Sequence, residues 1–242
     1  MNSIPTYVPA HGLLKGKSVL ITAAAGGGIG FATAKRVLEE GARALVIADI
    51  HERRLGEAVT VLKQEFADRS IEGKLANVTN ESEVQALIDF AEGVTGGVDV
   101  LVNNAGLGGS KRVVDMTDDE WNRVLDVTLT GSFRMTRAML RKMQPRGRGV
   151  IVNNASVLGW RAQKEQAHYA AAKAGVMALT RCSALEAAEY GVRINAVSPS
   201  IAFHEHLRKT APTELLEQLA SQEAFGRAAE VWEIANVIVF LA

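Results

Sequence analysis

What most constrains the fold is a strand, a glycine loop and a helix in immediate succession near the amino terminus. Ser18-Val19-Leu20-Ile21-Thr22 is a short apolar run, Ala23 to Gly30 is a loop holding Gly26, Gly27, Gly28 and Gly30, and Ala32-Thr33-Ala34-Lys35-Arg36-Val37-Leu38 has helical periodicity. A helix entered so abruptly must fold back along its strand, and the next strand then lies parallel to the first through a right-handed crossover. Ala44-Leu45-Val46-Ile47-Ala48-Asp49 is that next strand, apolar up to its final carboxylate rather than alternating, as expected of a strand covered on both faces. The alternation continues with helices predicted near 52–66, 80–93, 118–143 and 162–189 and strands near 71–77, 98–103, 147–155 and 192–198. It predicts the α/β class: one doubly wound domain, a parallel sheet with helices on both faces, and a ligand crevice at the carboxyl ends of the strands. Asp49, Asn77, Asn104, Ser156 and Pro199 fall at those ends.

With 242 residues and 48% hydrophobic content the chain can bury one substantial core. Lys plus Arg and Asp plus Glu both number 27, so no basic face for nucleic acid is indicated. Residues 1–16, with Pro5 and Pro9 and no apolar core, read as an arm rather than a secretion signal or membrane span, ahead of a domain over 17–242. Cys182 is the one cysteine, so no internal disulfide forms; its helical setting predicts a packed small hydrophobe. A cytoplasmic protein with neither membrane nor nucleic-acid partners is the expectation.

Three side chains suggest chemistry. Tyr169 and Lys173 are one turn apart on one face of an Ala-rich helix, and a nearby ammonium favours a phenolate over the usual Tyr pKa of about 10. Ser156 follows the apolar run Gly149 to Asn154, at a strand tip. A hydroxyl, a phenol and an amine so spaced suit moving a proton beside a hydride, the redox chemistry of alcohols and ketones. Taken alone, a Tyr-x-x-x-Lys pair is more often a surface tyrosine with a solvated lysine, and a glycine loop is as often an ordinary tight turn. Asp49, about 20 residues beyond the loop, adds an acceptor for ribose hydroxyls.

In this order, the glycine loop, Asn77-Val78, Asn103-Asn104-Ala105-Gly106, Ser156, Tyr169 with Lys173, and Asn195-Ala196-Val197-Ser198-Pro199 resemble the short-chain dehydrogenase/reductase family from about Lys17 to Ala242. The resemblance implies a Rossmann domain in which Tyr169 donates or accepts the proton, Lys173 holds the nicotinamide ribose and lowers the phenol's pKa, and Ser156 hydrogen-bonds the substrate oxygen. It implies NAD rather than NADP, contacted by Ala24, Gly26, Gly28, Ile29, Asp49, Asn77, Val78, Asn104, Tyr169, Lys173 and Ala202. Thr128 stands where many members carry an Asn that holds a relay water, and is expected to take up that fourth catalytic role. Two further departures are a loop one residue longer than Thr-Gly-x-x-x-Gly-x-Gly, and Pro199-Ser200 with His204 in place of Pro-Gly with a Thr. Members usually add a strand after the helical pattern Val231 to Ala242, so a six-stranded sheet with one open edge is expected here.

Leu107, Trp160, Phe203 and Leu207 are predicted to wall an apolar substrate pocket, with Arg161 among the cations at its mouth. The segments His11 to Leu14, Thr22 to Gly26, Asn153 to Ala162 and Pro199 to Ala202 are similar to actinobacterial dehydrogenases of steroid-ring catabolism, which act on hydroxyindane carboxyl coenzyme A thioesters. A 3-oxoacyl thioester reductase is the alternative, and a non-catalytic dinucleotide sensor a more distant one. Val124, Leu125, Phe133, Met135, Met139, Val176, Met177, Leu179 and Leu185 exceed what one sheet face needs and predict a homodimer or homotetramer.

Overall fold

A computed structural model describes residues 4–203 and 213–242. Six parallel strands, β1 (Ser18–Thr22), β2 (Ala44–Asp49), β3 (Ser70–Leu75), β4 (Val100–Asn103), β5 (Gly149–Asn154) and β6 (Val192–Val197), form one sheet in the order β3-β2-β1-β4-β5-β6. The order reverses between β1 and β4, which places the crevice there. The helices are α1 (Ile29–Glu39), α2 (Glu52–Glu65), α3 (Glu81–Thr95), α4 (Asp118–Leu125), α5 (Gly131–Met143), α6 (Ala167–Ala188), α7 (Thr213–Ser221) and α8 (Val231–Leu241). A two-residue strand β7 (Ala202–Phe203) pairs in parallel with β8 (Ala229–Glu230). Among the described residues no helix is long and apolar enough to cross a membrane.

The period of two along β1 feeds both layers. Val19 and Ile21 pack with Val37 and Leu38 of α1 and with Ile234 and Ile238 of α8, whereas Leu20 joins Leu87 and Ile88 of α3 and Met135 and Met139 of α5. Register then lines up the strand ends: Thr22 lies beside Ala48, Asn103 beside Asn153, and Asn154 beside Val197. Residues 8–13 lie against α1, where Arg36 donates to the carbonyls of Val8 and Pro9 and Glu40 accepts from the N–H groups of His11 and Leu13.

Four sequence expectations need correction. Residues 162–166 are not helical: Glu165 takes a left-handed backbone (φ 64°), and its carbonyl accepts from Lys111 N–H at 3.0 Å, so α6 begins at Ala167. The helix expected over 118–143 is divided by a π turn at Asp126–Thr130, which aims Thr128 inward, fully buried. Val124, Met135, Met139, Val176 and Met177 are core of their own chain, so of the apolar residues expected to meet a second subunit only Phe133 and Leu185 are well exposed. Cys182 is exposed rather than packed, because it lies on the outer face of α6.

Candidate active site

Buried asparagines hold the strand tips together. Thr22 Oγ1 accepts from the N–H groups of Asn104 (3.0 Å) and Ala105 (3.1 Å), and Asn104 Nδ2 donates to the carbonyl of Ala23 at 2.9 Å. Asn154 Nδ2 donates to Asn104 Oδ1 at 2.8 Å, while one layer deeper Asn103 bonds Asn153 and Thr136, and Asn153 bonds Thr180. These amide-to-amide bonds tie the strand tips together and so fix the loops above them, while Asn103 Oδ1 and Asn154 Oδ1 have no partner among the described residues. Gly30 has to be glycine here: a Cβ would sit 2.4 Å from the Ala23 carbonyl and 2.5 Å from Asn104 Nδ2.

Above this layer lie Ser156, Tyr169 and Lys173. The Ser156 hydroxyl stands near the Tyr169 phenol and caps the turn by accepting from Leu158 N–H at 3.2 Å. Lys173 is buried, its Nζ 2.6 Å from the Asn154 carbonyl and 5.6 Å from the centre of the Tyr169 ring. Burial pushes the ammonium's pKa down to about 8. Burial also raises the Tyr169 pKa, with the nearby Ser156 hydroxyl opposing it. Desolvation of the phenolate is the larger of these two influences.

Thr128 Oγ1 accepts from Leu107 N–H (3.0 Å) and donates to the Leu107 carbonyl (3.2 Å), and the Thr128 carbonyl accepts from Ser132. Thr128 thus clamps the loop after β4. The same loop is held from the other side, because Gln166 Nε2 donates to the Gly109 carbonyl at 2.7 Å and Ser110 Oγ donates to the Glu165 carboxylate. These bonds tie the loop bearing Leu107, which is half-buried, to the segment entering Tyr169.

In the glycine loop, Ala24 N–H is tied to the Ala48 carbonyl and Ala25 N–H to Asp49 Oδ2, so neither is free for a phosphate. Gly26, Gly27 and Gly28 N–H groups have no acceptor among the described residues, a Cβ at Gly27 or Gly28 would meet nothing within 4 Å, and α1 starts at Ile29 without a side-chain cap. An open helix N-terminus with free amides fits a pyrophosphate. Asp49 is buried at its strand tip, and burial raises its pKa against hydrogen bonds from backbone N–H groups and the charge of Arg54. Asn77 turns its Oδ1 to Thr79, and Val78 packs on Gly131. Ala202 is buried in β7.

Trp160 is 73% exposed over a shallow apolar groove of about 290 Å³ between α6 and β6, its Nε1 donating to Ser198 Oγ. Arg161 reaches Ser200 Oγ (3.2 Å) and the Glu223 carboxylate (3.3 Å), and Ser200 bonds the same carboxylate. Phe203 is half-buried in β7; Leu207 and His204 lie outside the described residues. Sequence reasoning missed Asn154, Glu165 and the meeting of Arg161 and Ser200 at Glu223; the asparagine pairs ending two apolar strands were the available signal.

A Rossmann sheet, an open glycine turn and a Ser-Tyr-Lys cluster at its switch point define a dinucleotide-linked oxidoreductase. The chain belongs to the short chain dehydrogenase family, which it matches over residues 17–214. It is 65% identical, over 98% of its length and 90% of the relative's, to the (5R,7aS)-5-hydroxy-7a-methyl-1-oxo-2,3,5,6,7,7a-hexahydro-1H-indene-carboxyl-CoA reductase of Mycobacterium tuberculosis. A 3-oxoacyl-[acyl-carrier-protein] reductase of Vibrio cholerae is 35% identical over 95% of this chain and 91% of its own. Among solved structures, a short chain dehydrogenase from Mycobacterium smegmatis superimposes with TM-score 0.88 at 57% identity, covering 100% of this chain and 91% of that one. The protein is therefore an oxidoreductase acting on CH–OH groups with a nicotinamide dinucleotide.

Proposed function

We propose that this enzyme interconverts a secondary alcohol and a ketone on the coenzyme A thioester of a fused-ring acid, with NAD as its dinucleotide. The observation that carries the substrate class is the high identity, along nearly the whole chain, to the mycobacterial indene-carboxyl-CoA reductase. Gly26, Gly28 and Asp49 would hold the dinucleotide at its adenosine end and Asn104 and Lys173 at the other, and the bound dinucleotide would supply or take up hydride. Tyr169 passes the proton to or from the substrate oxygen, and Ser156, near the phenol, hydrogen-bonds that oxygen. Lys173 fixes the ribose and, through Asn154, the shape of the strand tips. Thr128 acts by clamping Leu107 at the pocket wall. Exposed Phe133 and Leu185, on α5 and α6, support a two-fold pairing of subunits through those helices.

The test compares free acids with their coenzyme A thioesters, for a hydroxyindane carboxylate and for a linear 3-hydroxyacyl chain. A higher kcat/KM on the fused-ring thioester is expected. Equal rates on the free acids would remove the thioester, and preference for the linear chain would hand the assignment to a 3-oxoacyl thioester reductase. Dinucleotide binding without hydride transfer to any of them would favour a sensor.

A further inference from the structure

At the end of the sheet opposite the crevice, a polar cavity of about 330 Å³ opens where β1, β4 and β5 begin. Its walls carry Lys15, Lys17, Arg43, Arg146 and Arg148, with Asp99 as the one acid. The chain as a whole has no net charge, so five cations at one concavity are a local concentration and not a general excess. Lys15, Lys17 and Arg148 have no ion pair among the described residues, and Arg43 donates its Nε to the Gly16 carbonyl at 3.1 Å. Asp99, whose Oδ2 accepts from Ser18 N–H at 3.0 Å and Ser18 Oγ at 3.1 Å, offsets one of these charges and Glu92 offsets Arg146, so three of the five cations stay uncompensated.

The cavity is built and not merely a gap between side chains. Arg146 is fixed by Glu92 at 3.1 Å and by the Val98 carbonyl at 3.0 Å. Its Nη1 comes close to Gly97, whose backbone is left-handed (φ +115°) and whose added Cβ would stand 2.6 Å from it. Like charges brought within the screening length of about 8 Å repel one another, and a multivalent anion would remove that repulsion. Guanidinium forks and ammonium groups together are the donor set that receives phosphate oxygens.

We propose that this cavity is a binding site for a small ligand carrying two or more phosphate groups, separate from the dinucleotide crevice. Its volume lies at the small end of the range for ligand pockets, roughly 300–1,000 Å³, and suits a compact anion rather than a nucleic-acid backbone. Ser18 opens β1 beside the cavity and Thr22 ends it at the crevice, so roughly 13 Å of strand separates the two. The proposal does not depend on the substrate assigned above.

Calorimetric titration with inorganic pyrophosphate, at fixed ionic strength and with NAD saturating the crevice, tests it. One binding event that survives NAD saturation is expected, and the Lys17→Glu/Arg148→Glu double variant should bind about tenfold or more weakly. NAD affinity should be the same in both proteins. Where the charge reversal prevents folding, judged by loss of cooperative unfolding, Lys17→Gln/Arg148→Gln is read instead. No binding at millimolar pyrophosphate, binding abolished by NAD, or binding indifferent to these substitutions would each overturn the proposal.

Discussion

Lys173 Nζ lies 2.6 Å from the carbonyl oxygen of Asn154, and this one bond joins the long helix α6 to the tip of β5. Asn154 in turn gives its side-chain amide to Asn104, whose own amide holds the Ala23 carbonyl in the glycine loop. A charged group on one wall of the crevice is thereby linked through two asparagines to the glycine turn on the other. Amides in such a chain polarise one another, so the loss of any member is felt along its length.

Tyr169→Phe removes the proposed proton donor and leaves that network intact. Turnover should fall about 10²- to 10⁴-fold, the usual contribution of a general acid, while dinucleotide binding persists. Lys173→Ala takes away the bond to Asn154 as well and should lower both. Absorbance at the reduced nicotinamide band, paired with a fluorescence titration of the dinucleotide, separates the two effects. Near-native turnover in Tyr169→Phe would move the proton transfer to another group.

Burial of Lys173 also sets a pH dependence. Its pKa is about 8 in the folded protein against 10.5 for the free side chain. Between those values the unfolded chain binds more protons than the folded one, so stability rises with pH through that window and the penalty is fully present below it. Lys173→Met should flatten this limb and be the more stable protein below pH 8. Urea midpoints across the window measure it, and identical slopes in both proteins would show that another group titrates.

Much of this was legible in the sequence because it rests on local pattern. Continuous apolar runs such as Ala44 to Ala48 announce strands buried on both faces, and the Gly26 to Gly30 turn fixes where α1 begins. What stayed hidden depends on contacts between distant segments. Glu165 leaves the helical conformation because its carbonyl serves Lys111, more than fifty residues earlier in the chain. Thr128 turns inward because Leu107 offers it a donor and an acceptor.

Ala23 stands where the family pattern has glycine, and it adopts a left-handed backbone with φ 50°. For an L-residue that conformation costs roughly 1–2 kcal/mol, so Ala23→Gly should relieve strain and leave stability unchanged or slightly higher. Ala32→Gly, inside α1, provides the contrast, with an expected loss of about 1 kcal/mol. Chemical unfolding of the two variants decides it. A loss at position 23 equal to that at 32 would mean the loop stores no strain there.

Asp49 should decide between the two dinucleotides. Its Oδ1 accepts from His51 N–H at 3.0 Å and its Oδ2 from Ala25 N–H at 3.1 Å, so the carboxylate is fixed at the strand tip with lone pairs left for the ribose hydroxyls. A 2′-phosphate placed there would meet a like charge. Of the arginines that could offset it, Arg53 is paired with Glu57 at 2.6 Å, whereas Arg54 already acts on Asp49. NAD should therefore have the higher kcat/KM. Asp49→Asn, which keeps an acceptor for Ala25 while removing the charge, should raise kcat/KM for NADP by about tenfold, the scale of one relieved like-charge contact. A wild-type preference for NADP would mean that Arg54 overrides the carboxylate, and Arg54→Ala would then abolish that preference.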